Sequence, residues 1–82
     1  MTTEEIRGKV VEIIAKQLDK PKEQITADKK FADLGSDSLD LAEIVMEIED
    51  EFDIGVADDA EGKIKTVGDT VTYIETEMKK KG

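Results

Sequence analysis

The 82 residues predict an all-α fold, a four-helix bundle with three main helices and one short third helix and with a long loop between the first two. Three observations carry that prediction. The core material is aliphatic: 38% of the residues are hydrophobic, yet only Phe31, Phe52 and Tyr73 are aromatic, which suits packed helices better than a β-sandwich. Apolar residues recur at helical spacing in three separate segments. Each of those segments follows a residue pattern that caps a helix start. One core is as much as a chain of this size holds, so residues 1–82 are expected to form a single domain.

The first helix opens on Thr2 with Glu5 three residues later, a capping-box pattern. Ile6, Val10, Ile13, Ile14 and Leu18 then mark one buried face. Pro21 ends any helical reading, and residues 19–36 show no regular period. So long a connection needs anchors, and Ile25, Phe31 and Leu34 are spaced to pin it across the bundle, with Gly35 supplying a turn.

The second helix is expected from Ser38 to Glu51 or Phe52. Asp37 suits its N-cap, and Asp40 places a negative charge in the first turn, where the helix dipole favours one. Leu41, Ile44, Val45, Ile48 and Phe52 form its core stripe. The short third helix is expected near Asp58 to Gly62. "Thr66-Val67-Gly68-Asp69" opens the last helix, whose buried stripe is Val67, Val71, Ile74 and Met78, and "KKKG" reads as a solvated basic tail.

Twenty-one acidic residues against twelve basic ones leave a net charge of -9, which disfavours nucleic acid and anionic membrane as partners. The acids are also clustered. Residues 31–62 carry twelve of them and no lysine or arginine, a surface that selects basic partners. On the second helix Leu39, Ala42 and Met46 are apolar residues beyond the core stripe, flanked by the ridge of Asp40, Glu43, Glu47 and Asp50. That combination reads as a docking surface.

The chain has no histidine and no cysteine. Serine–histidine and thiolate catalysis within this chain are thereby excluded, as are disulfides and zinc sites built on sulfur. No EF-hand spacing of acids is present either, and no dedicated metal site is expected. The opening "MTTEEIRGKVV" has no basic region leading into a long apolar run, and no stretch approaches the roughly 18 apolar residues of a membrane span. A cytoplasmic protein is expected, or one of an organelle matrix, a monomer without membrane insertion.

The two serines of the chain, Ser36 and Ser38, sit where the long loop meets the second helix. Ser36 is by default a helix cap. Ser38, at the first helical position, points outward, where free backbone N–H groups and the dipole favour an attached phosphate. It is an acceptor of a phosphodiester delivered by another enzyme rather than a catalyst.

The stretch "Phe31-Ala-Asp-Leu-Gly-Ser-Asp-Ser-Leu-Asp40" resembles the 4'-phosphopantetheine attachment motif of acyl carrier proteins, with its Asp-Ser-Leu core preceded by Leu-Gly. The acidic helix that follows and "Lys63-Ile-Lys-Thr-Val-Gly-Asp69" also resemble the freestanding carriers of dissociated fatty acid synthesis. The resemblance implies that Ser38 carries 4'-phosphopantetheine, loaded by a phosphopantetheinyl transferase. It further implies that fatty acid biosynthesis enzymes with basic docking patches recognise Asp37, Leu39, Asp40, Glu43 and Met46, with Glu49 and Asp50 as further candidates, and Glu47 joins this docking surface from the charged ridge of the second helix. A cleft for the acyl chain, lined by Val10, Phe31, Ile44, Val45, Ile48, Val67, Ile74 and Ala42, is likewise an implication of the family. Two departures from the family pattern stand out: Gly55 and Ala57 where relatives often carry an acid and a proline, and apolar Leu41. Other expectations consistent with the same serine are a carrier of aminoacyl, peptidyl or polyketide units and, from a different class, an unmodified acidic interaction module.

Overall fold

Thr2 starts the first helix, α1 (Thr3–Leu18), by reciprocal capping. Its hydroxyl accepts the Glu5 N–H at 3.2 Å, and the Glu5 carboxylate accepts the Thr2 N–H at 3.0 Å. Two donors that a helix start leaves unpaired are thus satisfied. The backbone bond from Thr2, and then its hydroxyl, hold the Glu5 carboxyl below the usual carboxylate range. Ile6, Val10, Ile13 and Ile14 are buried as their spacing requires, and Leu18 is half-buried against the same core. Asp19 ends α1 in the left-handed region at φ 55°, its N–H bonded to the Ala15 carbonyl.

The computed structural model describes residues 2–56 and 63–81. Its element order is α1, two single 3-10 turns at Lys22–Gln24 and Ala32–Leu34, then α2 (Ser38–Phe52) and α3 (Val67–Lys81). The expected short helix at 58–62 lies outside the described residues. Among those described there is no strand, and no helix is long and apolar enough to cross a membrane. α1 packs against both α2 and α3.

The long loop is held as expected. Ile25, Phe31 and Leu34 are all buried in the one core. Backbone bonds add to these anchors: Lys30 and Thr66 form an isolated antiparallel bridge. Phe31 donates to the Lys65 carbonyl at 3.1 Å, Val67 to Lys29 at 3.0 Å and Gly68 to Ala27 at 2.9 Å. The loop before α2 is thereby tied to the turn before α3.

α3 begins with a reciprocal capping box of its own. The Thr66 hydroxyl accepts the Asp69 N–H at 3.0 Å, and Asp69 accepts the Thr66 N–H at 3.2 Å. Val67, Val71 and Ile74 are buried and Met78 is half-buried against the core. Thr70 is buried too, its hydroxyl donating to the Thr66 carbonyl at 3.1 Å. The expected basic tail is instead the last turn of α3, where Lys79 and Lys80 are exposed. Lysine is a good helix former and its cation is favoured near a helix C-terminus.

The stripe on α2 is narrower than its sequence pattern. Ile44, Ile48 and Phe52 are buried, but Leu41 and Val45 are only half-buried.

Two glycines predict opposite outcomes. Gly35 sits at φ 81°, where an L side chain is strained, so Gly35→Ala is expected to destabilise the fold by about 1–2 kcal/mol. Gly8 lies inside α1 with open space where a Cβ would stand, so Gly8→Ala is expected to stabilise by about 0.5–1 kcal/mol. Urea unfolding of the two variants beside the wild type checks both signs.

Candidate functional site

The last residues of the long loop set the position of Ser38. Gly35 turns the chain in the left-handed region. Ser36 then bonds backward: its N–H at 3.2 Å and its hydroxyl at 3.0 Å both donate to the Phe31 carbonyl. Ser36 therefore does not cap α2, contrary to the default for a serine in that place; its hydroxyl is drawn to the carbonyl that the 3-10 turn leaves accessible. Asp37 is the cap. One carboxylate oxygen accepts the Asp40 N–H at 2.9 Å, and Asp40 accepts the Asp37 N–H at 3.4 Å.

With its cap fixed, α2 starts at Ser38, and the serine side chain is exposed. Beside it lies an open recess of about 600 Å³. Phe31, Leu41 and Ile64 supply its apolar lining, and Lys30, Lys65, Ser36, Asp37 and Ser38 line it with them. Among the described residues no group of acids could hold a metal ion.

Farther along α2 the surplus apolar residues face solvent. Leu39 is 68% exposed and Met46 62%, while Ala42 is half-buried. Asp37, Glu43, Glu47 and Asp50 are exposed around them, and Asp40 is half-buried by its part in the cap. Glu43, Met46, Glu47 and Asp50 line a recess of about 550 Å³ whose other walls are Gln17 and Glu51. Gln17 donates its side-chain amide to Glu43, and Lys9 pairs with Glu51 at 3.5 Å.

Gln17 escaped the sequence reading because the contact between α1 and α2 brings it there, whereas Glu51 follows Glu47 by four positions on α2 itself. Glu49 has another task. Its carboxylate accepts the Val56 N–H at 3.0 Å and so holds the chain that leaves α2. Of the residues expected to line an acyl cleft, Val10, Ile44, Val67 and Ile74 are at 0% exposure and fill the core, with Ile48 at 2%. Ala42 and Val45 are half-buried on α2, and Phe31 reaches the recess beside Ser38.

The family model of the phosphopantetheine attachment site matches residues 8–74. The acyl carrier protein of Exiguobacterium sibiricum is 51% identical over 79 residues, covering 95% of this chain and all of the relative. The chain belongs to the acyl carrier proteins. The carrier of Rickettsia canadensis is 49% identical over 74 residues, 89% of this chain and 86% of its own. Among solved structures, the acyl carrier protein from Enterococcus faecalis superposes with a TM-score of 0.79 at 40% identity, covering 94% of this chain and 99% of that one. That from Thermotoga maritima gives 0.85 at 29% identity, covering 100% and 96%.

The protein is thus a carrier rather than an enzyme, and its cofactor is phosphopantetheine. The residues present fit that group. An exposed hydroxyl on the first turn of a helix tolerates a phosphate, because the N–H groups there are electropositive. Two lysines beside an apolar recess add to the fit.

The cap and the exposed serine beside it are separable by substitution. Asp37→Ala is expected to lower stability by about 0.5–2 kcal/mol through loss of the box. Ser38→Ala, at an exposed position, is expected to stay within about 0.5 kcal/mol of wild type. Chemical denaturation read by helical circular dichroism compares the two.

Proposed function

We propose that residues 1–82 act as one carrier domain with 4'-phosphopantetheine attached to Ser38, serving the cytoplasmic synthesis of fatty acids. The observation that carries the reading is the exposed Ser38 at the capped start of α2, inside the segment that matches the attachment-site family. When bound, the group supplies the thiol that this cysteine-free chain lacks, so that acyl units ride as thioesters.

Loading belongs to a phosphopantetheinyl transferase. A bond forms between the Ser38 Oγ and the phosphorus of coenzyme A that carries the pantetheine, and the pyrophosphate bond breaks. Adenosine 3',5'-bisphosphate leaves. The chain has no histidine, so a base of the transferase takes the hydroxyl proton. The part of this chain is to present the hydroxyl: Gly35 turns the loop, Ser36 fastens it to Phe31, and Asp37 sets where the helix starts.

The partners are enzymes with basic patches that meet Asp37, Leu39, Asp40, Glu43, Met46, Glu47 and Asp50. Exposed Leu39 and Met46 support this reading, because burying each in a partner groove is worth about 1.5–3 kcal/mol. The acids around them add steering and register. Glu43 must exchange its Gln17 bond for a partner's lysine or arginine. The core residues Val10, Ile44, Val67 and Ile74 leave a bound acyl chain no preformed cleft among themselves. Sequestration of the cargo therefore proceeds by parting the helices at that core.

Incubation with coenzyme A and a phosphopantetheinyl transferase is expected to add one phosphopantetheine to the wild type and none to Ser38→Ala, as read by intact mass. An unmodified wild type, shown folded and tried with several transferases, would replace this reading with that of an unmodified acidic module. Reversing Glu43 and Glu47 to lysine together is expected to slow association with a fatty acid synthesis enzyme on the order of tenfold at low salt, the difference shrinking as salt rises. Unchanged association kinetics would remove those residues from the docking surface.

A further inference from the structure

Residues 31–62 contain no base, and the lysines nearest the ends of that segment are Lys30 on one side and Lys63 and Lys65 on the other. The fold brings one from each side together. Lys30 is bridged to Thr66, and the Phe31 N–H donates to the Lys65 carbonyl at 3.1 Å. As a result Lys30 and Lys65 line a single recess, and Ser38 lines it with them.

The charge there is uncommitted. Lys9, Lys22 and Lys80 make ion pairs, whereas among the described residues neither Lys30 nor Lys65 does. Asp37 shares the recess, but its carboxylate is engaged with the Asp40 N–H. Phe31, Leu41 and Ile64 line the same recess. Two lysines together with an aliphatic and aromatic lining suit a ligand with an anionic head and an apolar body.

We propose that this recess is a docking subsite for the arm on Ser38, in which Lys30 and Lys65 pair with the phosphodiester and the apolar floor receives the branched aliphatic carbons next to it. The inference rests on the attachment to Ser38 proposed above. Exposed lysine–phosphate pairs are individually weak and screened by salt. Here the anion is tethered at the edge of the recess, and the tether raises its local concentration enough for a weak site to be occupied. The surrounding acids make the cations consequential. A phosphodiester at the start of α2 stands near Asp37 and Asp40 on a chain of net charge -9, and the two lysines offset that repulsion. The docked arm is one of two states, exchanging with an extended arm that reaches a partner.

The test uses the loaded protein, after intact mass has shown one adduct on the wild type and none on Ser38→Ala. Proton NMR is expected to show nuclear Overhauser contacts from the geminal methyl groups of the arm to Leu41 and Ile64, and the phosphorus-31 resonance is expected to differ from that of free phosphopantetheine. Both should fade as salt rises in the wild type, a readout that needs no variant. A Lys30→Gln, Lys65→Gln pair keeps the side-chain stems and removes the charge, and it should lose both signals. The corresponding arginine pair should keep them. Absent contacts in the loaded wild type, or contacts that salt and the glutamine pair leave unchanged, would overturn the subsite while leaving the attachment intact. Failure to load the wild type would overturn the attachment and the subsite with it.

Discussion

The backbone tie between the long loop and the turn before α3 is the constraint on which the rest of the structure depends. Three hydrogen bonds link Ala27, Lys29 and Phe31 to Gly68, Val67 and Lys65. Each is worth only about 0.5–1.5 kcal/mol net, but together they set where Phe31 enters the core. Phe31 is also the acceptor for both bonds from Ser36. The path from the α3 end of the molecule to Ser38 therefore runs through one short, antiparallel pairing in an otherwise helical protein.

Helix starts are where this chain concentrates its local order. Thr2 with Glu5, Asp37 with Asp40, and Thr66 with Asp69 each close a reciprocal box. The consequence differs by helix. At α1 and α3 the box serves stability alone, while at α2 it also decides which residue stands first on the helix, and that residue is Ser38. The same box turns the Asp40 carboxylate back to the Asp37 N–H, whereas Glu47 and Asp50 stand exposed farther along the helix.

α2 itself divides into a core face and a solvent face with little margin. Ile44, Ile48 and Phe52 are buried, while Leu39 and Met46 remain outside. Leu39 and Met46 thus stand as an apolar ridge among carboxylates in solvent. The contact between α1 and α2 brings Gln17 to the acidic surface, so that α1 helps to shape a face that α2 supplies.

Much of this was legible in the residues. Helical spacing, the three capping patterns and the spaced anchors Ile25, Phe31 and Leu34 depend on local geometry, and local geometry is written in the order of side chains. The start of α2 at Ser38 and its acidic, partly apolar surface followed from the same source. Other features depend on which segments meet, and no spacing encodes that. Ser36 turned to Phe31 rather than to the helix because the 3-10 turn brought a carbonyl within reach. Val45 and Leu41 stayed half-buried although both fall on the helical stripe, since spacing says which residues share a face and not how fully other segments cover it. Lys30 and Lys65, thirty-five positions apart in number, came to line one recess because of a backbone bridge between loops. The sequence by itself determined the helices, their caps and the residue exposed at the start of α2; only the tertiary structure decided what stands beside that residue, because neighbours across a fold are chosen by packing and not by sequence distance.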